Sequence, residues 1–206
     1  MNSWPPHTLS AKDRYICTMD FLIDVEKSLA VLQAGGIILY PTDTIWGIGC
    51  DATSEAAVQK IYALKKRAEE KSMIVLLADE RDLLQYVASP DLAVFDYLEN
   101  VTKPTTVIYD GAIGLADNII SKDGSVGIRL VQETFCKHLI KRLRRPIVST
   151  SANISGEPSP RTFAEVSDVI RQQVDYIVQY RQDDTSIAAP SSVVRWENGS
   201  VTVIRP

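Results

Sequence analysis

The chain has 206 residues, 45% of them hydrophobic and 23% charged, with a formal net charge of −4. This is the ordinary composition of one soluble domain with a sizeable core. The negative balance excludes a surface that attracts polyanions everywhere, so a nucleic-acid role needs a local basic patch.

Residues 1–18 are expected to form an irregular arm. Over 21–34, Leu22, Val25, Leu29 and Leu32 recur at helical spacing, and Gly35-Gly36 ends the run. Residues 37–40 read as a short buried strand, followed by YPTDTIWG from Tyr40 to Gly47. Thr53 or Ser54 caps a helix to about Lys66, with Ala57, Ile61 and Leu64 on one face. Residues 73–78 are a second apolar strand. Asp79 caps a short helix, and Ser89-Pro90 starts another that runs to about Glu99. Strands are predicted over 105–109, 126–130 and 147–150, with an amphipathic helix over 133–144 between the last two. A helix is predicted over 163–173 and a strand over 176–178. Two final strands, 193–196 and 201–204, flank Glu197-Asn198-Gly199-Ser200, a hairpin signal. Helices and strands alternate, yet the hairpin demands antiparallel pairing. The expectation is a single α/β domain over 1–206, a twisted mixed parallel and antiparallel sheet flanked by helices.

Cys17, Cys50 and Cys136 are odd in number and far apart, which argues against a disulfide framework or zinc cluster and fits a reducing cytoplasm. His7 and His138 belong to no motif. No apolar run is long enough to span a membrane and the N-terminus lacks a signal-peptide core, so a cytosolic protein is expected. The run from Lys141 to Arg145 is read as a solvated helix end, where cations favour the dipole.

Four strand ends carry small polar residues: PTDT at 41–44, KPTT at 103–106, STSANISG at 149–156 and APSS at 189–192. Loops at strand ends are common ligand sites, and hydroxyls with free backbone N–H groups suit a carboxylate, a phosphate or a small polar substrate. Ordinary turn chemistry is the competing reading of each patch. Between a helix and a strand lie Lys65, Arg67 and Lys71, which can converge on one phosphate chain, or simply be a solvated helix end paired with Glu69 and Glu70. Neither a P-loop nor a G-x-G-x-x-G turn is present, and no Ser-His-Asp arrangement can be argued.

Together these pieces resemble the YrdC-like family, the threonylcarbamoyl-AMP synthases. The resemblance is carried by GGIILYPTDTIWGIGCDA at 35–52, IYALKKR at 61–67, SVGIRL at 125–130, PIVSTSANISGEPSP at 146–160 and PSSVVRWENGSVTVIRP at 190–206. It implies the YrdC-like fold in its single-domain form. It also implies a nucleotidyltransferase reaction: L-threonine, bicarbonate or CO2 and ATP, with Mg2+, give threonylcarbamoyl-adenylate and pyrophosphate for tRNA t6A modification. By position, Thr44, Arg129, Ser149 and Ser191 are expected to bind threonine. Lys65, Arg67, Lys71, Thr106, Ser151, Asn153, Ser159 and Arg205 are expected to bind ATP. Lys65, Arg67 and Asn153 are the expected catalytic residues, and no protein-bound metal is implied. Trp46 is expected to support the pocket wall by packing. Implied partners are small molecules, with tRNA or double-stranded RNA and later-step t6A machinery as further ones, and no membrane.

The sequence departs from the family pattern at Ala68, Leu76, Lys103 and Trp46, where proline, histidine, glycine and tyrosine are usual, and a final glycine is missing. Leu76 removes a polar contact to the amino acid, and Lys103 adds a cation. Two other readings stand beside the synthase: a double-stranded RNA-binding module, and a YciO-like paralogue of different or weak activity.

Overall fold

The computed structural model describes residues 11–66, 73–197 and 199–206, with the backbone alone over 11–20. Among these, nine strands form one sheet: β1 Ile38–Tyr40, β2 Gly47–Gly49, β3 Ile74–Leu77, β4 Thr105–Tyr109, β5 Val126–Leu130, β6 Ile147–Ser151, β7 Tyr176–Ile177, β8 Ser192–Glu197 and β9 Ser200–Arg205. Their spatial order is β7-β1-β2-β6-β3-β5-β4-β8-β9. The β1–β7, β3–β5 and β4–β8 pairs are parallel and the others antiparallel, so the sheet is mixed as expected.

The helices are α1 Ala11–Gln33, α2 Glu55–Lys65, α3 Val94–Glu99, α4 Thr134–Leu143 and α5 Asp168–Arg171. The Ser54 side chain caps α2 by accepting from Ala57 N, and Lys66 ends it in the left-handed region at φ 50°. Glu133 caps α4 by accepting from Cys136 N at 2.8 Å, and Arg144 ends it at φ 57°. The chain reverses between β8 and β9 at Gly199, φ 74°, with Glu197 opposite Ser200.

Four boundaries differ from the sequence reading. Helix α1 starts at Ala11 rather than Phe21 and takes in part of the expected arm. Apolar spacing marks only the docked stretch, while a formed helix extends at one hydrogen bond per residue. Residues 1–10 lie outside the described residues. Strand β2 was not foreseen: YPTDTIWG joins two antiparallel strands rather than a strand and a helix. Helix α3 begins after Ala93 instead of Ser89, because Asp91 accepts from Ala93 N at 3.0 Å and turns the chain first. The helix expected over 163–173 is broken at Val166 and Ser167, both extended, into a 3-10 turn Phe163–Glu165 and α5. Val166 and Ile170 on either side of the break both reach the core, and Arg171 Nη2 donates to Phe163 O at 2.8 Å across it.

The sheet separates two cores. On one face Leu39, Ile48, Val75, Val107, Ile128, Val148 and Val194 meet Val58 and Ile61 of α2. On the other, Ile38, Tyr40, Leu76 and Ile147 meet Leu32 of α1 and Phe135, Leu139 and Leu143 of α4. Asp24 pins α1 to the end of β7 by accepting from Tyr176 Oη at 2.5 Å, Gln179 N at 3.0 Å and Tyr180 N at 2.7 Å. Neither α1 nor α4 reaches over β5, β4 and β8 on that second face, and the site lies there.

Candidate active site

The bare part of the second face is the floor of a cavity of about 430 Å³. Strand alternation aims the side chains. In β4, Val107 and Tyr109 enter the α2-side core while Thr106 and Ile108 face the cavity. In β5, Val126 and Ile128 go inward and Gly127 and Arg129 face out. In β6, Val148 goes in and Ser149 and Ser151 face out; in β8, Val194 goes in and Val193 and Arg195 face out. Gly127 keeps the floor open, since a Cβ there meets only Thr106 Cγ2 at 3.3 Å.

Arg129 is 3% exposed, and its Nη2 lies 3.1 Å from Asp43 Oδ1. Beyond that ion pair, its Nε and Nη2 are buried without a hydrogen-bond partner. A guanidinium offers five N–H donors in a planar fork, so an under-bonded one lining a cavity is built to accept an anion, and a carboxylate fits it bidentately. Asp43 is fixed in turn, because its Oδ2 accepts from Gln132 N at 3.0 Å.

The PTDT segment forms the wall above Arg129. Thr42 Oγ1 donates to Ile45 O at 2.9 Å and accepts from Thr44 N at 3.0 Å. Its single proton is thereby used, so in its 2.9 Å contact with Thr44 Oγ1 the Thr44 hydroxyl is the donor. Thr44 Oγ1 then presents lone pairs to the cavity and suits an incoming N–H or O–H. Arg181 Nη1 donates to Thr42 O at 3.2 Å, and Trp46 packs on Phe163 with ring centroids 4.8 Å apart. Close strand packing needs Gly49, where a Cβ would lie 2.5 Å from Val148 O and 2.6 Å from the ring of Tyr40. Burial raises the Tyr40 phenol well above its ordinary range, and it donates to Val148 O at 3.1 Å.

At the far side, Thr106 Oγ1 and Ser191 Oγ are 2.9 Å apart, and Arg205 donates to Ser191 O at 2.8 Å and 3.2 Å. Arg205 reaches the cavity because β9 is irregular. Val203 sits opposite Val194 but Arg205 sits opposite Val193, so Ile204 is the extra residue and the strand changes face. Such bulges re-aim side chains near sites.

Of the residues expected at the site, Thr44, Thr106, Arg129, Ser149, Ser151, Ser159, Ser191 and Arg205 line this one cavity. Arg67 and Lys71 lie outside the described residues. Lys65 and Asn153 do not line it. Lys65 is 1% exposed, and its Nζ donates to Ser151 O and to Asn153 O, the latter at 2.6 Å. Asn153 Nδ2 donates to Ile154 O at 2.9 Å and Glu157 O at 2.7 Å. In this structure the hydrogen bonds of both side chains go to the loop that follows β6.

Comparison with known proteins fits this geometry. The Sua5/YciO/YrdC family model, described as telomere recombination, matches residues 30–206. The chain belongs to the Sua5/YciO/YrdC family. The threonylcarbamoyl-AMP synthase of Idiomarina loihiensis is 33% identical over 169 residues, covering 81% of this chain and 90% of that protein. The crystal structure of P. abyssi Sua5 complexed with L-threonine matches with a TM-score of 0.78 at 22% identity over 88% of this chain. This chain spans 53% of that one, about half its length. E. coli YciO matches with a TM-score of 0.74 at 22% identity, over 90% of this chain and 89% of that one.

Within this Sua5/YciO/YrdC chain, the cavity residues given no role in the sequence reading include Ser121, Asp123, Ser125 and Arg195. Asp123 Oδ1 accepts from Ser125 N at 3.0 Å and Oγ at 2.7 Å, and Arg195 pairs with Asp110 at 3.0 Å and Asp123 at 3.5 Å. The Ser125 hydroxyl, then its backbone N–H, holds the Asp123 carboxyl below its ordinary range. Ser125 and Arg195 both stood inside the motifs at 125–130 and 190–206, and the period-2 pattern puts Ser125 on the face of Gly127 and Arg195 on the face of Val193. Asp43 was missed too, although it stands inside PTDT. Of the departures, Leu76 lies beside Arg129 in the sheet but is fully buried against α4, outside the cavity, and Lys103 is exposed and does not line it. Ala68 lies outside the described residues.

Proposed function

We propose that this chain is a threonylcarbamoyl-AMP synthase that joins L-threonine, bicarbonate or CO2 and ATP into threonylcarbamoyl-adenylate and pyrophosphate. The observation that carries the reading is Arg129, buried on a cavity floor with donors unspent and ringed by the hydroxyls of Thr44, Ser149 and Thr106. The relatives that match across most of the chain under that enzyme name support it.

In the proposed reaction the threonine carboxylate docks on Arg129. Thr44 accepts from the substrate amine, which loses a proton as its nitrogen bonds to CO2 and becomes a carbamate. A carbamate oxygen then attacks the α-phosphorus and pyrophosphate leaves. No protein nucleophile is needed, and positioning with charge neutralisation carries most of the rate. Ser151, Ser159 and Arg205 are assigned to the nucleotide side, together with Arg67 and Lys71. Among the described residues no group of three or more His, Cys, Asp or Glu side chains could hold a metal ion. Asp123, the carboxylate on the cavity wall, is taken up by Ser125 and Arg195. Mg2+ enters this proposal as part of the substrate, MgATP. The product would serve tRNA t6A modification in a later step, and the cytoplasm is the proposed location. No described helix is long and apolar enough to cross a membrane.

The test is incubation with MgATP, bicarbonate and a panel of amino acids, read by pyrophosphate release and by the mass of the adenylate. Threonine-dependent release with the threonylcarbamoyl-adenylate mass is expected. No turnover, with RNA affinity falling steeply with salt, would replace this reading by the RNA-binding one.

A further inference from the structure

We infer that Lys65 and Asn153 are positioning residues that clasp loop 151–157 into the shape in which Ser151 and Ser159 face the cavity, so that Lys65 acts on the nucleotide through that loop. The inference rests on the nucleotide reading above and departs from the role expected of Lys65 as a direct phosphate ligand.

Three tethers converge at the end of α2. Lys65 Nζ donates to Ser151 O and Asn153 O, and Lys65 O accepts from Ser155 N at 3.0 Å. One residue thus holds three points of the loop against the helix. Asn153 closes the far half by donating to Ile154 O and Glu157 O. Ala152 N donates to Trp46 O at 3.1 Å, which fastens the clasped loop to the start of β2 beside the PTDT wall. A lysine that grips phosphate keeps its ammonium at the cavity surface. Here the residue is 1% exposed, and its ammonium donates to the carbonyls of Ser151 and Asn153. Removing the ammonium leaves Asn153 O without its donor and Ser151 O with only the Asn153 N–H at 2.9 Å, so the loop is drawn open toward water. The neighbouring hydroxyls then lose their aim.

Direct contact and positioning predict different dependence on phosphate number. A phosphate ligand contributes more to ATP than to AMP. A loop brace acts on the part of the nucleotide common to both. The experiment is calorimetric titration of AMP, ADP and ATP into the wild type, Lys65→Met and Asn153→Ala, below each protein's melting temperature. Both variants should bind all three nucleotides about ten-fold or more weakly, by the same factor for each, as expected for losing a charge-assisted or buried hydrogen bond. Weakening by Lys65→Met that grows from AMP to ATP overturns the inference, as does unchanged affinity in a folded variant. Should Lys65→Met fail to fold, Asn153→Ala decides by the same criterion. A wild type that binds none of the three overturns the nucleotide reading itself, which is a distinguishable result.

Discussion

One sheet face carries two neighbouring regions that behave oppositely. Over β7, β1, β3 and the start of β6 it is sealed by α1 and α4, and its outward positions are Ile38, Tyr40, Leu76 and Ile147. Over β5, β4, β8 and the later part of β6 no helix covers it, and the equivalent positions are Gly127, Arg129, Thr106, Ser149 and Arg195. The strands alternate in the same way in both. What changes is the covering layer, and with it the residues the face tolerates. A fully helix-covered face would bury Arg129 and these hydroxyls against apolar side chains at a large cost. The bare region instead sets them around a cavity of about 430 Å³.

Substitutions on each side sharpen this contrast. Phe135→Ala in the sealed region should have the largest effect, about 3–5 kcal/mol of stability from lost packing. Denaturant unfolding measures it, and the Michaelis constant for threonine should not move. Arg129→Lys in the bare region should do the reverse. It replaces a planar fork with a point charge, and kcat/KM for threonine should fall about 30-fold or more, with ATP affected far less and the melting point near that of the wild type. Equal losses for both substrates would contradict its assignment. Gly127→Val should weaken both substrates about ten-fold by filling the floor, since only Thr106 Cγ2 lies near the new side chain. Unchanged kinetics would mean that no ligand crosses that strand.

The smallest effect belongs to Asp184, whose carboxyl is held down to about 2, first by the Ser186 hydroxyl, then by the Ser186 N–H and Arg181. A depressed carboxyl stabilises the fold above its ordinary range and loses that contribution as pH falls toward about 2. Arg181 carries this link to the bare region through Thr42 O. The melting-point difference between wild type and Asp184→Asn should therefore shrink on acidification, and a difference independent of pH would argue against it.

Much of the fold was legible because periodicity and caps are local. The strands over 105–109 and 126–130, the Ser54 cap and the final hairpin follow from short-range pattern alone. Strand β2 was not legible, because three residues containing two glycines show no alternation to read. The split of 163–173 at Val166 and Ser167 was not legible either, because the apolar spacing across it is that of a continuous helix. Eight site residues met in one cavity because motifs at strand ends mark the sheet positions that face it. The side chains of Lys65 and Asn153 turned elsewhere, since a motif fixes which residue stands in place but not which partner its polar head finds. Arg205 reached the cavity through a bulge that spacing alone does not announce.

A crystal structure of the chain with L-threonine and a non-hydrolysable ATP analogue tests the central claim most directly. The amino-acid carboxylate should sit on the Arg129 guanidinium with the amine at Thr44, and the nucleotide should lie along Ser151, Ser159 and Arg205. Ligands bound elsewhere, with Arg129 still paired to Asp43 alone, would contradict it.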